Sequence, residues 1–342
     1  MRRDMPVFQS PNANLYRGRL PNSSASSFWR IASRFLLLCV ALGAAQSARA
    51  GLVFNPIFDA STSSAPAGFF VAFNSAVQFL ESQYSDPITI NLNVGWGEIN
   101  GGSLSPGNLG QSSTNQQGFY SYSTVKTALT NDSKSASDAT AIAHLPANYP
   151  GGAGNIFVMS NAEAKALGLL PGNAAGKDGA VGFNSTASYT FDPNNRAIAG
   201  EYDFVGLAEH ELTEIMGRYG LGQNGAASGR FSPIDLFRYL SSGVLDTTPA
   251  NGAYFSIDGG NTVINTFNGT GGGDLSDWSG ATLDSFNHNL TLGKELDVTP
   301  GDITVTDVIG YDLAAPEPST FALFALGIAA TIYLRRQEVR TG

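Results

Sequence analysis

Apolar residues change their spacing several times along the chain, and each change marks an element. Over residues 65–85, Phe69, Val71, Phe73, Val77, Phe79 and Leu80 recur at a mostly helical spacing. Over 87–99, Ile88, Ile90, Leu92 and Val94 alternate with Thr and Asn, the period of a half-buried strand. Residues 101–118 are Gly, Ser, Asn and Gln with little apolar content, and the expectation there is a loop. A helix is expected over 125–143, with Lys134 and Asp138 on its outer side, then a short buried strand over 155–160 and a helix over 162–169. Residues 179–191 read as a further strand and 192–195 as a turn. The strongest amphipathic helix covers 202–219. Beyond Gly220 the chain turns to Gly, Asn, Asp and Ser with short apolar pieces, as in an irregular C-terminal lobe. That lobe shows a strand–turn–strand over 254–264 and a last helix over 302–309, with Thr299 as its cap. The order of elements predicts the α+β class, with a mixed sheet beside the 202–219 helix.

Charge narrows the range of functions. Residues 51–315 hold 9 basic and 25 acidic side chains, a net of −16, which repels phosphate backbones and argues against nucleic acid as a partner. The single cysteine, Cys39, and the three histidines leave no disulfide framework and no thiolate metal site, so a metal site must lean on carboxylates.

Both ends look like addresses. Arg30 and Arg34 precede the apolar run 35–45, and Ala48-Arg49-Ala50 supplies small residues where a signal peptidase cuts, so residues 1–50 read as a signal peptide cleaved after Ala50. At the other end Pro316-Glu317-Pro318 is followed by about fifteen mostly apolar residues and then Arg335-Arg336, the pattern of a transmembrane segment with a cytoplasmic basic tail. The tripartite pattern over 316–342 resembles the PEP-CTERM sorting signal of Gram-negative bacteria. The resemblance implies export to the cell surface or an exopolysaccharide matrix, processing by an exosortase-type enzyme, and transient anchoring in the inner membrane. The working domain is then residues 51–315.

Chemistry concentrates on the 202–219 helix. With His210 at zero and about 100° per residue, Glu214 falls near 40°, while Phe204, Ala208, Leu212, Ile215, Met216 and Tyr219 gather on the opposite side as a buried face. His210 and Glu214 therefore stack one turn apart and Glu211 sits at the edge, the spatial logic of the H-E-x-x-H zinc helix with a carboxylate in the second ligand position. Gly217, one turn on, leaves room for a returning chain. The competing reading is a solvated acidic helix face. Glu209, Glu211 and Glu214 crowd together with no Lys or Arg before Arg218, and a bound cation would relieve their repulsion.

The string HELTEIMGR at 210–218, followed by SPIDLFRY, YFSIDGG, GGDLSDW and DVIGYDL, resembles a family of zincin-type metalloproteases carrying PEP-CTERM tails. The resemblance implies a zincin-like domain with an active-site helix, an exported zinc-dependent endopeptidase acting on a protein or peptide substrate, His210 and Glu214 as metal ligands, and Glu211 as catalytic base. For the third ligand the metzincin position is Gly220, which has no side chain. Zincins with an acidic third ligand place it twenty or more residues downstream, where Asp235 lies 21 residues after Glu214. Asp235 is the first choice, a helix cap or a partner of Arg238 the alternative; His288 is the second candidate and His144 reads as structural. The Asp258–Asn261 and Asp274–Asp277 runs offer oxygens to Ca2+, although tight turns account for them better. Arg238 and Tyr239 are candidates for an oxyanion partner, and the 179–191 strand for pairing with an extended substrate. A non-catalytic surface or matrix protein, a degenerate zincin, is the alternative function.

Overall fold

The computed structural model describes residues 51–151, 156–220, 229–248, 250–269, 273–280 and 283–315, together with Ile328. The expected signal segment and transmembrane segment lie outside the described residues, among which no helix is long and apolar enough to cross a membrane. Strand β1 (Val53–Phe58) leads through a 3-10 turn (Ala60–Ser64) to α1 (Ala67–Gln83) and β2 (Thr89–Trp96). Then come β3 (Gly110–Thr114), β4 (Gln116–Ser121), α2 (Tyr122–Asp132), α3 (Ala136–His144), β5 (Ile156–Ser160) and α4 (Asn161–Ala166). β6 (Gly179–Phe183), β7 (Tyr189–Thr190) and β8 (Tyr202–Asp203) precede α5 (Phe204–Met216). The following lobe carries β9 (Arg230–Phe231), a 3-10 turn (Pro233–Phe237), β10 (Arg238–Ser241), β11 (Val244–Leu245), β12 (Tyr254–Phe255), β13 (Asn265–Thr266) and α6 (Pro300–Val308).

The fold is α+β, built on a four-stranded mixed sheet in the order β1-β2-β6-β3. β1, β2 and β6 run parallel, and β3 closes the sheet antiparallel to β6. Ile90, Leu92, Val94 and Val181 are fully buried on these strands. Phe69 of α1, Phe183 of β6 and Phe204 of α5 meet with ring centroids 4.8 to 5.9 Å apart, which locks both helices to the sheet.

Several expectations change. The 101–118 stretch holds β3 and the start of β4 rather than a loop. β3 reads Gly-Gln-Ser-Ser-Thr and has no apolar alternation to reveal it; pairing with β6 makes it a strand. The 125–143 helix is two helices. Ser135 Oγ accepts from Asp138 N and the Asp138 carboxylate accepts from Ser135 N, both at 2.9 Å, a capping box that starts α3 and buries Asp138 instead of leaving it outside. The 179–191 strand stops at Phe183, and Tyr189–Thr190 pairs separately with β8. β6 has a neighbour on each side, so the strand expected to receive a substrate has no free edge. β1, which the apolar spacing did not announce, forms the far edge.

The chain end is tied down. Tyr311 is fully buried and its hydroxyl donates to Met216 O at the end of α5 (2.8 Å). Ser85 N donates to Asp312 O (2.8 Å) and Ala314 N to Gln83 O (2.8 Å). Around this closure gather Asp86, Asp132, Asp138, Asp307 and Asp312, with Lys134 bonded to Asp312. Burial, then the charges of neighbouring carboxylates, pushes Asp86, Asp132 and Asp307 each up to about 7.

A carboxyl raised in the folded state stabilises the fold only below its unfolded value, 3.8 for Asp132, and that contribution is lost as the pH climbs toward 7. Asp132→Asn should therefore stabilise the protein more at pH 8 than at pH 5. Chemical denaturation at both pH values checks this; an equal effect at the two would contradict the crowding.

Candidate metal centre

α5 begins on a buried carboxylate. Asp203 Oδ1 accepts from Val205 N (3.1 Å) and Gly206 N (3.3 Å), and Arg196 clamps the same carboxylate through Nε (3.0 Å) and Nη2 (2.7 Å). The helix ends at Gly217, whose φ of 121° favours glycine. A Cβ there would also lie 2.8 Å from the Glu163 carboxylate, so the room expected for a returning chain is taken by that side chain.

The polar face of α5 is not solvated. His210, Glu211 and Glu214 are only 7%, 5% and 8% exposed, because the lobe after Gly220 lies over them. His210 Nε2 stands 3.5 Å from Glu214 Oε1 and 3.5 Å from Asp277 Oδ1. One ligand atom from each of His210, Glu214 and Asp277 lies within 4.8 Å of the other two. His210 Nδ1 faces Ser285 O at 2.8 Å. A carbonyl only accepts, so Nδ1 carries hydrogen and Nε2 is the nitrogen left to ligate. Glu214 Oε2 accepts from Ser112 Oγ on β3 (2.5 Å). Asp277 Oδ1 accepts from Arg218 Nη1 (2.6 Å), and that guanidinium also donates to His210 O (3.1 Å) and stacks on Phe286 (4.4 Å).

Glu211 lies beside this group on β3's side of a cleft of about 700 Å3, which His210, Glu214, Asp274, Asp277 and His288 also line. Gly110 makes the fit possible: a Cβ there would sit 2.4 Å from Glu211 Oε1. Leu109 O accepts from Asn184 N and Asn115 N donates to Asp178 O, both at 2.8 Å. By that register Gly110, Ser112 and Thr114 turn their backbone groups away from β6, giving a free strand edge along the cleft.

The electrostatics follow from burial and crowding. Burial alone would depress the His210 imidazolium, but Asp277 and Glu214 outweigh it and hold the group up at about 9. Burial works to raise Glu214, yet His210, Arg218 and Ser112 bring it down to about 2. Burial and then the Glu214 charge push Glu211 well above the usual carboxyl range. Asp274 is raised likewise by burial, Asp277 and Glu214.

The donors fit a divalent ion: one imidazole nitrogen oriented from behind and two carboxylates in a wall with surplus negative charge. Asp235 is not among them. Its carboxylate accepts from Ser232 N (2.8 Å) and Ser232 Oγ (3.2 Å), capping the 233–237 turn, which is the alternative weighed for it. Asp277 takes the third place, 63 residues after Glu214, in a segment whose sequence looked like a turn. His288 reaches the cleft, but its Nδ1 lies against Trp278 O (3.0 Å) and its Nε2 against Asn289 (2.7 Å). His144 closes the last turn of α3, with Nδ1 on Thr140 O (2.8 Å). Arg238 is buried on Asp246 (2.9 Å), not in the cleft. The Asp258 carboxylate already accepts from Ser256, Asn261 and Thr262, so that loop is a tight turn.

Comparison with known families bears on the chain end. Residues 314–337 match the PEP-CTERM protein-sorting motif. The motif indicates export and envelope-associated sorting in Gram-negative bacteria, and it implies processing by an exosortase-type enzyme. The motif begins at Ala314, whose amide is the last backbone donor seen to hold the folded body. Comparison with the curated proteins and with the solved structures returns no match.

Substitution separates the two candidate third ligands. Asp277→Asn should weaken zinc binding at least tenfold, as loss of one charged ligand does. Asp235→Ala should leave zinc binding unchanged and cost about 1 kcal/mol of stability through the lost cap. Chelator competition and urea unfolding of both variants check the pair; the reverse pattern would restore Asp235.

Proposed function

We propose that this protein is an exported metal-dependent endopeptidase of zincin type, with His210, Glu214 and Asp277 as ligands and Glu211 as general base. The observation that carries the reading is the convergence of those three donors in a cleft that also holds Glu211 and the free edge of β3. A single nitrogen with two carboxylates suits zinc or manganese; Ca2+, which takes oxygen ligands, fits less well. When bound, the ion supplies Lewis acidity to a carbonyl and to water.

The chain's own residues supply the rest. Ser285 O fixes the imidazole and Ser112 Oγ fixes Glu214, so the ligands are oriented before any ion arrives. An extended peptide adds to β3 through the outward backbone groups of Gly110, Ser112 and Thr114, which lays its carbonyls along the cleft. Glu211 accepts a proton from the attacking water and returns it to the departing amine. Its raised carboxyl pKa suits that exchange, and a cation against Glu214 and Asp277 brings it down toward neutrality.

A second reading draws on Arg218. Its guanidinium is already 2.6 Å from Asp277 Oδ1, a resident cation that balances part of the site with no metal present. That feature favours a non-catalytic surface or matrix protein derived from the same fold.

Two variants and the wild type decide between them. Under the peptidase reading, Glu211→Gln retains stoichiometric zinc and loses casein hydrolysis by at least a hundredfold, whereas His210→Ala loses both. Wild-type protein that carries zinc yet shows the same casein turnover as Glu211→Gln would remove the proposed base. Protein with no bound metal after dialysis against zinc would favour the binding-protein reading.

A further inference from the structure

Two segments behind the cleft hold the candidate ligands, and both end on the same pair of acids. Asp277 is followed by Trp278, a buried indole whose Nε1 donates to Asp302 Oδ1 at 2.6 Å. Ser285, whose carbonyl orients His210, is preceded by Asp284, and Asp284 Oδ1 accepts from Phe286 N at 2.7 Å. The segments are also bonded to each other, since Trp278 N donates to Phe286 O at 2.9 Å. Asp284 and Asp302 meet at the start of α6, where Thr299 bridges them: its Oγ1 donates to Asp284 Oδ2 (3.0 Å) and its N to Asp302 Oδ2 (2.7 Å). The two carboxyls are buried and joined through Thr299.

We infer that Asp302 and Asp284 are a positioning pair that holds the Asp277 ligand and the His210 orientation together, and so sets the affinity of the site for a divalent cation. The inference rests on the metal-centre reading above. Burial, followed by the Asp284 charge, raises Asp302 well above the usual carboxyl range. A capping box for α6 needs only Thr299 and Asp302. The indole bond and the second acid are additional, and both lead to the ligand loop rather than along α6. Trp278 further packs against Phe267 (5.0 Å), Phe255 (5.9 Å) and Phe286 (6.5 Å), so a loosened indole leaves the loop anchored by apolar contacts but free to shift Asp277.

Trp278→Phe keeps most of that packing and deletes only the bond to Asp302. In the purified protein, competition for zinc against a chromophoric chelator should show affinity reduced about ten- to a hundredfold, the usual effect of losing an outer-shell partner. The melting temperature of the metal-free variant should move little. Asp302→Asn, which can still accept from the indole, should retain more affinity than Asp302→Ala. Wild-type zinc binding together with unchanged affinity in Trp278→Phe and Asp302→Ala overturns this inference alone. Affinity losses that track the metal-free melting temperature across the variants also overturn it, since they report general destabilisation. A wild-type protein that takes up no zinc or manganese overturns the metal-centre reading and this inference with it.

Discussion

The face of α5 that carries His210, Glu211 and Glu214 is out of water, and its charges must be balanced inside the protein. Removing a carboxylate from solvent without a partner costs several kcal/mol, and here His210 and Glu214 each meet an opposite charge or a donor. Arg218 supplies a guanidinium, held between Asp277, Thr213 Oγ1 and the backbone at His210. The lobe after Gly220 is short of regular structure because its work is to bring Asp277, Trp278 and Ser285 over that face. An aromatic group gathers around Trp278, and the lobe joins the common hydrophobic core, with Phe231 packed on Tyr149 and Phe157.

The sheet and the site share a strand. Ser112 and Thr114 of β3 bond to the Glu214 side chain and backbone, while Gly110 leaves the volume that Glu211 fills. A strand with two hydroxyls and a glycine on its helix-facing side is a poor apolar packer. It is a good partner for a helix whose facing residues are acids.

Much of this was legible in the sequence, and the exceptions have physical causes. α1 and β2 announce themselves because each buries one regular face, and α5 because its apolar residues gather on one face although every side of it is buried. His210, Glu211 and Glu214 come from one helix, where spacing alone places them together. β3 escaped because its hydroxyls meet acceptors on Glu214 rather than apolar side chains. Asp277 escaped because it comes from an irregular loop, tied through the neighbouring Trp278 to Asp302 of α6, which no local spacing encodes. Asp235 attracted attention at a plausible distance from Glu214, but Ser232-Pro233-Ile234-Asp235 is also a capping sequence, and the shorter-range interaction holds it. The GGDLSDW string carried the one available signal for Asp277: two acids and a tryptophan crowded into a loop otherwise made of Gly and Ser.

Charge also links the proposed ion to the proposed base. Burial and the Glu214 charge push Glu211 up, while His210 and Arg218 hold Glu214 down, so the ionisation of these side chains is coupled. Under the peptidase reading proposed above, a divalent ion against Glu214 and Asp277 would lower Glu211 in turn, and binding the ion would be linked to ionising the proposed base. A surface helix bearing the same H-E-x-x-E string would have water to screen each charge separately, and no such coupling would arise.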